Sequence, residues 1–137
     1  MKVFLDTNVF LDTLLPKREF KNESFEILGL HKLKDFRLHI SSLSIANIVF
    51  CARKYVPKKE LFEVVDNIRY NFKVLPLGAA DIDSAIESGC PDFEDAMQIA
   101  MAEMESDVIV TGNKKHFAPY TALPVFTPKE FLERLKP

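Results

Sequence analysis

Residues 2–12 read KVFLDTNVFLD, an apolar run that ends on Asp6 and is followed by two small polar residues and an apolar periodic segment. This order predicts a strand that carries Asp6 at its C-terminal end, followed directly by a helix. In open parallel sheets, ligands bind at the carboxyl ends of the strands, in the crevice where the strand order reverses. Asp6 is therefore a candidate site residue from its position alone.

Short β-rich runs alternate with longer helical patterns along the chain. The predicted strands are residues 3–5, 37–40, 73–75, 108–111 and 125–126. The predicted helices are residues 9–15, 24–33, 43–55, 60–72, 80–88, 93–105 and 129–135, and the segments 16–22 and 115–124 are predicted to be surface loops. Strands that alternate with helices of this length need crossover connections. We therefore expect an α/β fold with a mainly parallel sheet of about five strands, covered by helices on both faces.

Length and composition predict one soluble domain. The chain has 137 residues, of which 47% are hydrophobic and 28% charged, and no apolar run approaches the roughly 20 residues that a membrane span needs. The N-terminus does not resemble a secretory signal, so we expect a cytoplasmic protein without a membrane partner. Cys51 and Cys90 lack the spacing of a zinc site or a disulfide framework. The net charge of −2 gives no global attraction to nucleic acid, so a nucleic-acid partner would have to be held by local basic groups.

Two later segments carry further oxygen ligands at the ends of predicted elements. The stretch PDFEDA, residues 91–96, contributes Asp92 and Asp95, and the predicted strand VIV is followed by TGN, residues 111–113. Acids three residues apart on a helix share one face, with their Cβ atoms about 5–6 Å apart. Mg²⁺ is typically held by a few carboxylates together with water and substrate phosphate. Asp6, Asp92 and Asp95 together predict the divalent-cation site of a nuclease.

Each of these acids also has a structural explanation when it is taken alone. Asp6, Thr7 or Asn8 can cap the helix that follows the first strand, since these residue types are favoured at that position. Asp92 follows a proline and is a natural N-cap, and acids in the first turn oppose the helix dipole. The joint occurrence of acids at separate element ends favours a metal site over capping alone.

Four motifs in this order and at this spacing resemble the PIN-domain family, the metal-dependent ribonucleases that include VapC-type toxins. They are VFLDTNVFLD, ISSLSIANIVF, DFEDAMQIA and VIVTGNKKHF, and the likeness extends to the VFTPKEFL ending. The resemblance implies a single PIN-like domain over residues 1–137, built as a three-layer α/β/α sandwich. It also implies an acidic pocket that binds Mg²⁺ or Mn²⁺, and hydrolysis of RNA phosphodiester bonds. The same resemblance implies an endoribonuclease toxin of a toxin–antitoxin pair, with an antitoxin as a possible partner, and a homodimer.

The resemblance transfers to individual positions of this chain. Asp6 matches the first acid of the family and Asp95 the acid on the late helix, with Asp92 beside it. The second acid of the family falls at Asn47, and the acid after the fourth strand falls at Asn113, or at His116 in an alternative alignment of the KKHF segment. An amide oxygen can coordinate a hard cation but brings no charge. We therefore expect weaker metal binding, a preference for Mn²⁺ over Mg²⁺, and activity that Asn47 and Asn113 weaken.

Further residues around the predicted pocket are assigned supporting roles. Thr7 and Thr111, at two strand ends, are expected to orient carboxylates or the reacting water through their hydroxyls. His116 follows two lysines and is interpreted either as a surface loop residue or as a phosphate contact or extra ligand. The basic residues expected to hold the RNA backbone at the rim of the pocket are Lys17, Arg18, Lys114 and Lys115.

Two other classes of function compete with this hypothesis. A phosphoaspartyl enzyme of the haloacid-dehalogenase type would need a second Asp two residues after Asp6, where the chain has Asn8. A response-regulator domain would need an acidic pair before its phosphorylated strand, whereas only VFL precedes Asp6. The second alternative is a PIN-fold module that binds RNA or protein with weak or no catalysis, which the two asparagines keep open. The sequence does not indicate which RNA would be cleaved.

Overall fold

The computed structural model describes residues 1–137 and is built around a five-stranded, all-parallel sheet. The strands are β1 (Lys2–Leu5), β2 (Arg37–Ser41), β3 (Lys73–Leu75), β4 (Val108–Val110) and β5 (Val125–Phe126). Their order across the sheet is β3-β2-β1-β4-β5, so β1 lies in the middle. Phe4 of β1 stands opposite His39 on one side and Ile109 on the other. This confirms the α/β prediction and the five predicted strands.

Eight α-helices accompany the sheet. They are α1 (Thr7–Leu14), α2 (Lys21–Leu28), α3 (Ser42–Ala52), α4 (Lys58–Asn71), α5 (Ala79–Glu87), α6 (Phe93–Glu105), α7 (Lys114–Phe117) and α8 (Pro128–Leu135). Side-chain caps start several of them: Asp6 at α1, Ser41 at α3, Asp92 at α6 and Thr127 at α8. None of the helices combines the length and apolarity that a membrane crossing requires.

Alternating side chains of β1 pack into two separate hydrophobic cores. Val3 and Leu5 belong to the larger core, which also includes Ile48 of α3 and Phe131 of α8. Phe4 points to the opposite face and packs with residues of α6 and α7. Helices therefore cover both faces of the sheet, and the molecule is the three-layer α/β/α sandwich that was predicted.

The main departures from the predicted elements are short. The predicted helix 24–33 begins earlier, at Lys21, and its α-helical part ends at Leu28, where a 3₁₀ turn over Gly29–Lys32 takes over. Within the predicted loop 115–124 the chain forms most of α7 and a second 3₁₀ turn, Ala118–Tyr120. Four residues are too few to show a helical periodicity. Phe117, which is fully buried, anchors α7 to the sheet.

The strand order reverses between β1 and β4. The chain leaves β1 toward β2 and β3 on one side, and returns to β4 and β5 on the other. The ladder between β1 and β4 continues past the strands, because the Asp6 amide donates to the Val110 carbonyl over 3.0 Å. The crevice expected to bind ligands in such a sheet thus opens where Asp6 and Thr111 end their strands.

Candidate active site

Asp6 is buried, with 5% of its surface exposed, and its carboxylate is held by two donors. The Thr7 amide donates to Oδ1 and the Thr111 hydroxyl donates to Oδ2, each over 2.8 Å. The Thr111 bond joins the ends of β1 and β4 directly, as the sequence predicted. Thr7 reaches Asp6 through its backbone amide, whereas its hydroxyl contacts Ser44, so an orienting role for that hydroxyl stays a prediction. The orientation of Asp6 is therefore fixed from both strands.

Asp92 and Asp95 have different surroundings although they lie one helical turn apart. Asp92 is the N-cap of α6, and its Oδ1 accepts from the Asp95 amide over 2.9 Å. The side chain of Asp95 is 16% exposed and lies close enough to Asp6 that their charges interact. The structure has no group of three or more His, Cys, Asp or Glu side chains placed to hold a metal ion. Asp6, Asp92 and Asp95 are thus not assembled as a cage, and their role as ligands stays a prediction.

Glu94 was not predicted as a site residue, yet it belongs to this acidic group. Its Oε1 accepts a hydrogen bond of 2.7 Å from the side-chain amide of Asn47. Its charge contributes to raising the pKa of both Asp6 and Asp95. Asn47, the position where the family resemblance places an acid, therefore contacts an acid instead of replacing one.

The carboxylates form a negative cluster without a lysine or arginine partner. Burial is the main reason that the pKa of Asp6 is raised to about 6, against the two hydrogen bonds that lower it. The pKa of Asp95 rises to about 7, first through burial and then through repulsion by Asp6, Asp92 and Glu94. Burial and Asp92 also raise the pKa of Glu94. Buried carboxylates that repel one another are the environment in which a hard cation is bound favourably.

Comparison with known proteins decides the family. A model of the PIN domain matches residues 2–115 of the sequence. The chain belongs to the PIN-domain family. A curated relative, Ribonuclease VapC1 of Aquifex aeolicus (strain VF5), is 29% identical over 139 residues, which cover 97% of this chain and 94% of the relative. The family resemblance predicted from the sequence is thereby confirmed.

Solved structures share the fold of this PIN domain at low sequence identity. A chain of VapBC2 from Rickettsia felis, solved with a DNA fragment of the promoter, superposes with a TM-score of 0.70 and 19% identity, covering 91% of this chain and 97% of that chain. PAE2754 from Pyrobaculum aerophilum gives a TM-score of 0.68 at 19% identity, covering 98% and 89%. FitAcB from Neisseria gonorrhoeae gives 0.67 at 20%, covering 93% and 98%. These likenesses concern the fold.

The short helix α7 brings His116 to the acidic group of this PIN domain. Its Nδ1 lies 3.9 Å from Oδ2 of Asp95, although most of the ring is exposed. Asn113 caps α7 without a side-chain hydrogen bond, and its backbone amide donates to the Thr111 hydroxyl. Of the two positions proposed to replace the family's fourth acid, His116 is thus the one that contacts the carboxylates. Its role as a ligand or phosphate contact remains a prediction.

The basic residues predicted to bind RNA fall into two groups. Arg18 and Lys114 are held by acids of the PIN domain itself: Arg18 by Asp12 over 2.9 Å, and Lys114 by Glu130 over 3.1 Å. Lys17 and Lys115 are exposed and form no ion pair. The positive charges of Lys17 and Lys115 are therefore the more available ones for a phosphate backbone.

Thr7 belongs to a buried polar network that the sequence analysis did not anticipate. Its hydroxyl is 2.7 Å from that of Ser44 and accepts from Gln98 over 3.4 Å. Gln98 also bonds Ser41 and Ser44, and all four side chains are buried. The available signal was the position of Gln98, three residues after Asp95 in an otherwise apolar stretch.

Proposed function

We propose that this PIN domain, comprising residues 1–137, is a divalent-metal-dependent endoribonuclease and the toxin of a toxin–antitoxin pair. The observation that carries the proposal is the pair Asp6 and Asp95 at the switch point of the sheet, two partly or fully buried carboxylates without a lysine or arginine partner. The family and the relative named as a ribonuclease support the same activity. β5 and α8 lie beyond the matched segment but join the same sheet and core, which supports one domain.

The donor set suits a hard cation such as Mg²⁺ or Mn²⁺. Asp6 and Asp95 would hold it, and water and RNA phosphate would complete the coordination. Asp92 could join them only by giving up its cap bond to the Asp95 amide. A cation bound by these residues would lower the pKa of a water and offset the charge that develops on the phosphate oxygens. Neither Asn47 nor Asn113 adds a charge, so metal binding is expected to be weaker than with carboxylates at these two positions.

The residues of the chain itself orient the reacting groups. The Thr111 hydroxyl and Thr7 amide both donate to the carboxylate of Asp6, which favours its ionised form and fixes its direction. His116 lies beside Asp95 and, together with Lys115 on the same helix, is available to contact the RNA backbone. No side-chain nucleophile is required, because a water would attack the phosphorus as the P–O bond to the leaving oxygen of the phosphodiester breaks.

The partners follow from the same proposal. Structural neighbours at 0.65–0.70 in TM-score include chains from VapBC2 and from a Klebsiella pneumoniae toxin–antitoxin complex, which supports an antitoxin protein as a partner. RNA is the proposed substrate. A homodimer and a cytoplasmic location remain predictions.

The test is cleavage of single-stranded RNA by the purified protein in Mn²⁺ and in Mg²⁺. Wild type is expected to cleave, and EDTA and Asp6→Asn are expected to stop cleavage. Asp83→Asn is the matched control, because it removes an exposed acid from α5, outside the site. Absence of metal-dependent cleavage by wild type would refute the nuclease and favour a PIN-fold module that binds RNA or protein without cutting.

A further inference from the structure

Gln98 is the centre of the buried network that lies next to the acidic site. Its Oε1 accepts from the Ser41 hydroxyl over 2.7 Å, and its Nε2 donates to the Ser44 hydroxyl over 2.8 Å and to Thr7 over 3.4 Å. The side chain has no exposed surface. The amide group of Gln98 on α6 thus uses its acceptor and its donors on residues at the starts of two other helices, α3 and α1.

Two partners of Gln98, Thr7 and Ser44, lie within one helical turn of a residue at the site, and so does Gln98 itself. Thr7 follows Asp6, and its backbone amide donates a hydrogen bond to that carboxylate. Gln98 itself lies three residues after Asp95 on α6, a rise of about 4.5 Å along the helix. The amide therefore connects the start of α1, which carries the first acid, to the helix that carries the second.

The connection to α3 has the same form. Ser44 lies three residues before Asn47, which bonds Glu94. Ser41 caps α3 by accepting from the Ser44 amide over 2.9 Å, and it donates to Gln98 from the same oxygen. The Ser41 side chain thus caps α3 and also bonds Gln98 on α6.

We propose that Gln98 is a positioning residue that sets the separation of Asp6, Asp95 and Asn47 by tying α1, α3 and α6 together beneath the site. The inference rests on the proposed metal-dependent activity. Gln98 does not touch the carboxylates and is not a catalytic residue. Its effect on them is indirect, and a displacement of about 1 Å in a reacting group can cost about a hundredfold in rate.

A role in stability alone would predict a different outcome. Thr7 and Ser44 lie 2.7 Å apart, and Ser41 and Ser44 lie 3.2 Å apart, so the three hydroxyls can bond one another without Gln98. An apolar side chain of similar length would leave them paired, and the fold would be retained. The amide of Gln98 is therefore not needed for folding. Its contribution is to fix the geometry among α1, α3 and α6.

The test compares Gln98→Met with Ile99→Val in the full-length protein. Ile99 is the next residue on α6, is also buried, and packs in the hydrophobic core away from the network. Its loss of a methyl group is expected to destabilise the protein about as much as the loss of the amide bonds. Thr7→Val is a second, near-isosteric lesion of the same network that serves if Gln98→Met does not fold.

Two readouts separate positioning from stability. The first is the rise in Tm that a saturating concentration of Mn²⁺ gives over EDTA, which needs no RNA. Gln98→Met and Thr7→Val are expected to lose at least half of that rise, whereas Ile99→Val keeps it. The second is cleavage kinetics: kcat is expected to fall at least tenfold in Gln98→Met with KM within about twofold, because Lys115 and His116 lie outside the network.

The outcomes are distinct. A wild-type Mn²⁺ rise that Gln98→Met retains, or that Ile99→Val loses equally, would overturn the proposal. A wild-type protein that Mn²⁺ does not stabilise would overturn it too, since there would be no metal site to position. A wild-type protein that binds Mn²⁺ but does not cut RNA would refute the nuclease activity, and the melting experiment would still decide the role of Gln98.

Discussion

Asp6 and Asp12 lie at the two ends of one short helix, are equally buried, and have opposite surroundings. Asp12 accepts from Arg18 Nε over 2.9 Å and from the Ser24 hydroxyl over 2.7 Å. Asp6 accepts from two uncharged donors, and the charged groups whose fields act on its carboxylate, Glu94, Asp12 and Asp95, are all acids. One helix therefore carries a buried acid with its cation and a buried acid without one.

The difference separates an acid that is paired within the fold from one that is proposed to bind a metal ion. A buried charge is tolerated when it is paired and hydrogen-bonded, as Asp12 is, and it destabilises the fold when it is not. The position of Asp6, at the switch point of the sheet, is where a ligand can supply the missing positive charge. The following experiments test this contrast.

The largest effect is expected for Asp6→Asn. RNA cleavage should fall at least a hundredfold, because the oriented carboxylate is lost from the metal site. Burial raises the Asp6 pKa to about 6, so the ionised carboxylate destabilises the fold at pH 7.5. Asparagine carries no charge, and in EDTA at pH 7.5 the free energy of unfolding should therefore increase by about 2 kcal/mol. Chemical denaturation and an RNA cleavage assay measure the two effects. Wild-type-like cleavage in Mn²⁺ would show that Asp6 is not part of the site.

Asp12→Asn should change stability in the opposite direction. The substitution keeps an oxygen for Ser24 but leaves the Arg18 guanidinium without its charged partner. Breaking a buried ion pair costs about 3–5 kcal/mol, and since Arg18 retains 29% side-chain exposure we expect a loss of about 2 kcal/mol. Urea unfolding of Asp6→Asn and Asp12→Asn side by side gives the signs. A stabilised Asp12→Asn would remove the contrast between the two acids.

Asn47→Asp tests whether the amide at this family position compensates for a missing acid. The substitution replaces the hydrogen bond to Glu94 by two facing carboxylates, so Tm in EDTA should fall. The added anion should raise the affinity for Mn²⁺ about tenfold, or about 1.4 kcal/mol. Melting curves of wild type and variant, with and without Mn²⁺, provide the measurement. An identical metal-induced shift in both proteins would place Asn47 outside the metal site.

The stabilisation by Asp6→Asn should itself depend on pH. The folded pKa of Asp6 is raised above its unfolded value, so its favourable contribution is complete below about pH 4 and is lost as pH rises through about 6. The gain from Asp6→Asn in EDTA should therefore be smaller at pH 5 than at pH 7.5, by about 1 kcal/mol. The comparison of variant with wild type removes the opposite contribution of His39, whose lowered pKa reduces stability as pH falls below about 6.5. A gain that is the same at both pH values would contradict the raised pKa.

The smallest effect is expected for Asp92→Ser. Serine also caps helices, so the bond to the Asp95 amide can be retained and stability should change by less than about 0.5 kcal/mol. The Mn²⁺-induced rise in Tm should remain, whereas Asp95→Ala should abolish it. If Asp92→Ser loses the metal response as fully as Asp95→Ala, then Asp92 is also a ligand and its cap is secondary.

The sequence allowed the sheet and the location of the site to be predicted for a physical reason. Parallel strands are buried on both faces, so they appear as short apolar runs, and residues that follow such runs meet at one edge of the sheet. Asp6 and Thr111 were identified in this way, and the hydrogen bond between them was found. The paired acids Asp92 and Asp95 were identified from helical spacing, which holds within a single element.

What could not be predicted depends on pairs of side chains from distant elements. The bonds of Gln98 to Thr7 and Ser41, and that of Asn47 to Glu94, connect residues more than 40 positions apart. Such pairs follow from helix packing and rotamers, on which spacing in the sequence carries no information. The helix α7 was not predicted because its four residues are too few to show a helical periodicity.

The hydrogen bond from Thr111 to Asp6 joins residues 105 positions apart. β1 is the first strand made, but its second neighbour, β4, is among the last. A nascent chain released or cleaved before residue 111 therefore lacks the strand and the hydroxyl that orient Asp6. The carboxylate of Asp6 thus acquires its full set of hydrogen bonds only after most of the chain has been made.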